Sequence, residues 1–270
     1  MQASPKGRPR PSAGSDATAP RRAFGVDLAA VWAKLSRNRR FLTILAAILA
    51  VLAAVNVANR FGPVGTGLVL GPTVAVALLT WARRHGLSWH ELGLSRRTWV
   101  RGVKYAAAAV GVVAGMYLLA AAFPATREMF LDSRYRMAVG AALLTSLVIV
   151  PLSTVLLEEV AFRGVLMGWL SKHKGIALGM GVSSATFGLW HVLPSLGMSA
   201  NQVVAGLLGS GLGAKVVIVL GVVAFTALAG WLLCEVRRRS GSLIAAAGLH
   251  WAVNGLAVLL ASVVWSGYLT

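Results

Sequence analysis

The stretch that decides the fold is residues 137–164, MAVGAALLTSLVIVPLSTVLLEEVAFRG, in which a long apolar run is followed directly by two acids. An apolar run of about 20 residues can cross the roughly 30 Å hydrocarbon core of a bilayer. Because backbone amides find no water there, they must bond within the chain, so the run is predicted to be a helix. Glu158 and Glu159 are then ionisable groups at membrane depth, where charges are costly and usually mark function.

The composition of the whole chain agrees with a membrane protein. Of its 270 residues, 57% are hydrophobic and 13% are charged, whereas soluble domains carry about 25% charged residues. This composition excludes a water-soluble globule, and the single cysteine, Cys234, excludes a disulfide scaffold. The net charge of +18 is concentrated in the tail and between the apolar runs, which indicates lipid headgroups as its partner and not nucleic acid.

Seven apolar runs predict an all-α, polytopic membrane helix bundle of about seven transmembrane helices, with six to eight as the range. They are residues 41–58, 64–82, 103–123, 137–157, 176–192, 215–234 and 243–265. The segment 137–171 is too long for one straight span, since about 35 residues of helix would reach roughly 52 Å. Pro151 is therefore predicted to kink the helix or to divide it into two pieces.

The chain is predicted to have three regions. Residues 1–40 form a disordered basic cytoplasmic tail, in which residues 24–35 have the spacing of an amphipathic segment or are simply a basic linker. Residues 41–98 form accessory transmembrane helices and a basic loop, and residues 99–270 form the core. Lys and Arg concentrate in the tail, at 83–104, at 172–174 and at 237–239, which places the N-terminus in the cytoplasm.

Helical spacing predicts different roles for the two adjacent acids. Neighbouring helical residues point about 100° apart, so Glu158 and Glu159 are not expected to face the same water. Glu159 and Arg163 are four residues apart, the spacing of a structural ion pair along a helix. Glu158 is left without a local cation, which suits a general base that takes a proton from water. The plainer alternative is an interfacial acid pair at a helix end.

Two histidines and one asparagine are predicted to reach the depth of Glu158. If a hairpin turns at residues 172–175, Glu158 lies about 23 Å and His191 about 26 Å from the turn. His250 and Asn254 share a helix face and lie about 17 Å and 23 Å beyond Arg239. Singly, a histidine in a membrane helix often makes only an interhelical hydrogen bond. Four polar groups in one layer of the bilayer indicate a site.

These four groups suit hydrolysis by water. Glu158 with His191 could hold and deprotonate a water molecule, and His250 with Asn254 could donate hydrogen bonds to the oxyanion formed at a carbonyl. Glu158, His191 and His250 also match zinc ligation, so a divalent metal stays an alternative and no other cofactor is predicted. The chain lacks the His-Glu-x-x-His run of soluble zinc proteases.

Other nucleophiles and other functions are less favoured by the sequence. Ser183 and Ser184 lack the context of a nucleophile elbow, and Cys234 lies near a cytoplasmic helix end, far from the predicted layer. A proton-coupled transporter could use Glu158 and the histidines as a proton relay, but the sequence shows no internal repeat. A non-catalytic, immunity-like membrane protein that keeps only the fold is a third alternative.

Three short motifs occur in order on the predicted helices: Glu158-Glu159-x-x-x-Arg163, Phe187-x-x-x-His191 and His250-x-x-x-Asn254. They resemble the motifs of the type II CAAX prenyl endopeptidase family, the CPBP (CAAX protease and bacteriocin-processing) intramembrane proteases. The resemblance covers about residues 99–265, and Phe162 and Gly164 around Arg163 also fit the family's Phe-Arg-Gly.

The resemblance implies an intramembrane endopeptidase. Its substrate would be a membrane-anchored protein or peptide, its other partner the lipid bilayer, and its location a bacterial plasma membrane. The family pattern assigns the water to Glu158 and His191, and the oxyanion to His250 and Asn254. Some bacterial relatives are linked to bacteriocin self-immunity, which is why the non-catalytic alternative stays open.

Overall fold

The computed structural model of the protein describes residues 39–131, 135–196 and 211–269. Within these ranges the secondary structure is helical, without strands, and seven helices are long and apolar enough to cross a membrane. This confirms the predicted all-α polytopic bundle. Residues 1–38 of the predicted disordered tail, with its amphipathic segment, lie outside the described residues, whereas Arg39 and Arg40 at its end are helical and not disordered.

The seven long helices are numbered in chain order. They are α1 (Arg39–Phe61), α2 (Thr66–Arg84), α3 (Trp99–Ala122), α4 (Val139–Lys174), α5 (Ile176–Trp190), α6 (Leu212–Ser240) and α7 (Leu243–Leu269). Short helical turns lie at Arg96–Thr98, Pro124–Arg127, Glu128–Phe130 and Val192–Ser195. The chain divides into two compact units, Met1–Ala46 and Ala47–Thr270. The described part of the first unit is the beginning of α1, and the packing described below belongs to the second.

Helix α4 is one continuous helical run of 36 residues, so the chain is not divided into two pieces at Pro151. Two π-helical segments, Thr145–Ile149 and Pro151–Val155, carry the helix past the proline. Proline has no backbone N–H and disrupts the regular hydrogen-bond ladder, and the wider π turn accommodates such an irregularity. A third π segment, Glu159–Leu166, begins at the second acid of the motif.

Helices α4 and α5 form the predicted hairpin. Lys174 ends α4 and Ile176 begins α5, with Gly175 between them at φ 93°. A positive φ of this size is readily adopted only by glycine. Because α4 and α5 run back along each other from this turn, Trp190, which directly precedes His191, comes within hydrogen-bond distance of Glu158.

The loop between α2 and α3 packs against the same end of the bundle. Lys172 Nζ donates to Gly86 O at 2.6 Å and forms an ion pair with Glu91 at 3.1 Å. Arg237 Nη2 donates to Glu91 O at 2.7 Å. Burial raises the pKa of Glu91, but hydrogen bonds from Ser88 and Lys172 outweigh it, so the pKa of Glu91 lies below its ordinary value. The cationic clusters on α2, α4 and α6 thus gather at one end.

Helices α5 and α6 approach closely at Gly188. A Cβ atom on Gly188 would lie 2.6 Å from Val223 O and 2.9 Å from Ala227 Cβ. Such distances are too short for ordinary packing, so a side chain there would push α6 away. Gly188 therefore sets the spacing of the two helices directly beside His191.

Gly188→Ala is expected to destabilise the protein by roughly 1–3 kcal/mol, the usual cost of overpacking a tight contact. The measurement is denaturant-induced unfolding of the purified protein in detergent micelles. Gly181→Ala, on the same helix, is the matched control because no atom lies within 4 Å of its added Cβ. Equal stability of the two variants would contradict a close contact at Gly188.

Candidate active site

The predicted chemical residues gather around a cavity of about 430 Å³. Glu158 of α4, His191 at the end of α5 and Asn254 of α7 all line it. Other polar residues in its wall are Asn56, Asn59, Tyr135, Ser153, Thr154 and Trp190. Because three helices contribute one predicted residue each, the site is assembled by the packing of the bundle.

Glu158 is buried, with 6% of its surface exposed. Its Oε1 accepts a hydrogen bond from Trp190 Nε1 at 3.0 Å. Its Oε2 lies 3.8 Å from His250 Nε2 and accepts no hydrogen bond from the described residues. The indole thus fixes one carboxylate oxygen, while the other faces the imidazole of His250.

Glu159 and Arg163 form the predicted ion pair. Arg163 Nη1 donates to Glu159 Oε1 at 2.9 Å, and the two side chains are 0% and 2% exposed. The guanidinium carbon of Arg163 lies 3.9 Å from the centroid of the Phe187 ring, a cation–π contact that helps to hold a desolvated charge. A buried carboxylate of this kind needs its cation, because an unpaired charge in the interior is strongly unfavourable.

His250 lies between the two acids. Its Nδ1 donates to Glu159 Oε1 at 2.8 Å, and its Nε2 is the nitrogen nearest Glu158. The spacing argument predicted that the acids meet different surroundings, and Glu158 alone lines the cavity. Both nevertheless contact His250, because they meet the two different nitrogens of its ring. His250 itself is not among the residues that line the cavity.

His191 lines the cavity, and one of its two ring nitrogens is bonded to the backbone. Its Nδ1 donates to Phe187 O at 2.8 Å, so in the neutral ring Nε2 carries the lone pair and can accept a proton or a hydrogen bond. His85 and His173 make the same contact with the carbonyl four residues earlier. The local hydrogen bond is therefore ordinary, and the position of His191 on the cavity wall is what distinguishes it.

Two cavity residues were not singled out from the sequence. Trp190 donates to Glu158, and Asn56 Nδ2 donates to the backbone carbonyl of Trp190 at 2.7 Å. Asn56 lies on α1, in the region interpreted as accessory. A buried asparagine inside an apolar run, and a tryptophan directly before the motif histidine, are the signals that could have identified them.

The three side chains considered as zinc ligands do not fit a metal site. Within the described residues, no group of three or more His, Cys, Asp or Glu side chains is arranged to hold a metal ion. Zinc ligand atoms must converge to within about 2.0–2.3 Å of the ion. His250 lies outside the cavity wall that Glu158 and His191 share, so no step is assigned to zinc.

The alternative nucleophiles lie away from the cavity. Ser183 Oγ donates to Phe162 O at 2.8 Å, and Ser184 Oγ donates to Met180 O at 2.7 Å. Cys234 is fully buried, and its Sγ lies 3.8 Å from Ser184 Oγ. None of the three lines the cavity, which agrees with the sequence interpretation that they are poor candidates for a nucleophile.

Comparisons with known proteins give one finding. Residues 140–256 match the family model described as type II CAAX prenyl endopeptidase Rce1-like. The matched range contains all three motifs and confirms the resemblance, over a shorter part of the chain than 99–265. Neither the curated proteins nor the solved structures gave a match.

Proposed function

We propose that this chain hydrolyses a peptide bond of a membrane-anchored protein or peptide, because residues 140–256 match the model of the Rce1-like type II CAAX prenyl endopeptidase family, which implies a protease in the membrane. The observation that carries the proposal is the meeting of Glu158, His191 and Asn254 on one cavity. A carboxylate, an imidazole and an amide donor supply what the attack of water on a carbonyl requires.

The proposed reaction begins with a water molecule between Glu158 and His191. Glu158 takes a proton from this water, His191 Nε2 orients it as a hydrogen-bond acceptor, and the water oxygen attacks the peptide carbonyl carbon. The Asn254 amide donates to the resulting oxyanion. As the C–N bond breaks, the proton passes to the departing amine, so the products are one acid and one amine and Glu158 is regenerated.

His250 is assigned a supporting role in the same reaction. The sequence interpretation paired it with Asn254 at the oxyanion, whereas its contacts place Nε2 next to Glu158. We propose that His250 shares the proton that Glu158 receives. The Glu159 carboxylate on Nδ1 would balance the charge of the imidazolium, as an acid does for a histidine in hydrolytic triads.

The proposed location is the plasma membrane of a bacterium, with the N-terminus in the cytoplasm. Support comes from the end of the bundle where the loop after α2, the α4–α5 turn and the cations of α6 meet. An excess of Lys and Arg marks the cytoplasmic side of a membrane protein.

His191→Gln tests the proposal. We expect kcat to fall about 100-fold, because the flexible glutamine amide does not hold an acceptor where the rigid imidazole holds Nε2, and misplacing a reacting group by about 1 Å costs up to 10²-fold. The assay is cleavage of a lipid-anchored peptide by purified protein in liposomes, with the products identified by mass spectrometry.

His85→Gln is the matched control, since exposed His85 makes the same Nδ1 contact with a carbonyl four residues earlier. It should retain the wild-type rate. A wild-type rate in His191→Gln as well would contradict the proposed role of the cavity.

A further inference from the structure

Two hydrogen bonds connect helix α1 to the Glu158 carboxylate. Asn56 Nδ2 donates to Trp190 O at 2.7 Å, and Trp190 Nε1 donates to Glu158 Oε1 at 3.0 Å. Asn56 and Trp190 are 134 residues apart in sequence. All three side chains are buried, and all three line the cavity.

The Trp190 carbonyl needs an outside donor because of the local sequence. In an α-helix it would accept from the N–H four residues later, but that residue is Pro194, which has no N–H. Helix α5 ends at Trp190, where carbonyls lose their partners within the helix. The Asn56 amide satisfies this buried acceptor, so α1 fixes the backbone at the end of α5.

The Trp190 side chain extends from this fixed backbone, and its indole N–H orients the Glu158 carboxylate by a hydrogen bond. An indole N–H can only donate, so it determines which lone pair of the carboxylate is occupied. The ring packs edge-on against Phe162, with centroids 5.8 Å apart, and has little freedom to turn. His191 follows directly in the chain, so the same backbone positions the imidazole and the indole.

We propose that Asn56 and Trp190 are positioning residues for Glu158, and that α1 is therefore part of the catalytic unit although it lies outside the matched range. This inference rests on the proposed function for its catalytic meaning. The hydrogen bonds themselves can be tested without any substrate.

The first experiment observes the Trp190 indole directly. In ¹H–¹⁵N spectra of ¹⁵N-tryptophan-labelled protein in micelles, Trp190→Phe identifies the Trp190 signal. Glu158→Gln should move that signal, because a charged acceptor makes the stronger hydrogen bond, and Asn56→Leu should move it by releasing the backbone. The Trp251 indole, which donates to Ser146 O at 2.8 Å, is the reference and should stay. A Trp190 signal unmoved in both variants would overturn the inference.

The second experiment measures the consequence for the reaction. Trp190→Phe and Asn56→Leu should each lower kcat roughly 10- to 100-fold with little change in KM, since misplacing a reacting group by about 1 Å costs up to 10²-fold. Because Asn56 acts through Trp190, kcat of the double variant should be no lower than kcat of the more impaired single variant. Asn56→Leu serves as an independent variant if Trp190→Phe folds poorly.

Trp251→Phe is the control for the reaction, since it removes a comparable indole hydrogen bond away from the cavity wall and should keep the wild-type kcat. Unchanged kcat in both test variants, or additive losses in the double variant, would overturn the positioning role. A wild type that cleaves no peptide would instead overturn the proposed function, while the indole spectrum would still decide whether Glu158 is held by this relay.

Discussion

Glu158→Gln is expected to lower kcat for peptide hydrolysis by about 10²- to 10⁴-fold, the range for loss of a general base. Glutamine has nearly the same shape, and its amide oxygen can still accept the indole hydrogen bond from Trp190. It cannot take a proton from water, so the loss should appear in kcat and not in KM. The measurement is the rate of product formation from a lipid-anchored peptide, followed by mass spectrometry.

Glu128→Gln is the control for this substitution. Glu128 is an exposed acid in the short turn Glu128–Phe130 that follows α3, and it is not among the residues that line the cavity. The Glu128→Gln variant should therefore cleave the peptide at the wild-type rate, and both variants should melt at the wild-type temperature. Full turnover by Glu158→Gln would remove this carboxylate from the chemistry and leave the reaction to another residue.

Arg163→Met is expected to lower the free energy of unfolding by about 3–5 kcal/mol, the usual cost of removing one partner of a buried ion pair. Methionine fills most of the space but leaves the Glu159 carboxylate buried without its cation. The Phe187 ring also loses its charge contact. The measurement is unfolding of the purified protein by denaturant in detergent micelles.

Arg239→Met tests whether burial is the reason. Arg239 and Glu235 form an ion pair of the same i,i+4 spacing at 2.6 Å, but Arg239 is 64% exposed. Exposed pairs contribute little, so this variant should unfold much like the wild type. Glu159→Gln combined with Arg163→Met should recover part of the loss, because no unpaired charge is then left inside. Equal losses at Arg163 and Arg239 would contradict the explanation.

Features that depend on local periodicity were predictable from the sequence. Apolar runs of membrane length predicted the helices, and the four-residue spacing predicted the pair of Glu159 and Arg163. The rise per residue predicted that His191 lies near the depth of Glu158. These quantities depend on neighbours along one helix, where geometry is regular.

Contacts between helices were not predictable in the same way. Glu159 and His250 are 91 residues apart, and Asn56 reaches Trp190 from a helix that shares no motif with it. Which faces of two helices meet depends on side-chain packing over their whole length, which residue spacing does not determine. Pro151 illustrates the same limit, because a missing N–H predicts an irregularity but not whether the chain breaks or adopts a π turn.

Because of the π segment Glu159–Leu166, the effect of adding or removing one residue in α4 depends on where the change is made. A π turn contains one residue more than an α turn between its hydrogen-bonded groups, so deletion of a single residue here would let the segment relax into an ordinary α-helix. Each residue of offset rotates everything that follows by about 100°. A one-residue insertion or deletion in Met167–Lys174, which is α-helical and has no wider turn to absorb the change, would instead turn α5, and His191 with it, away from Glu158.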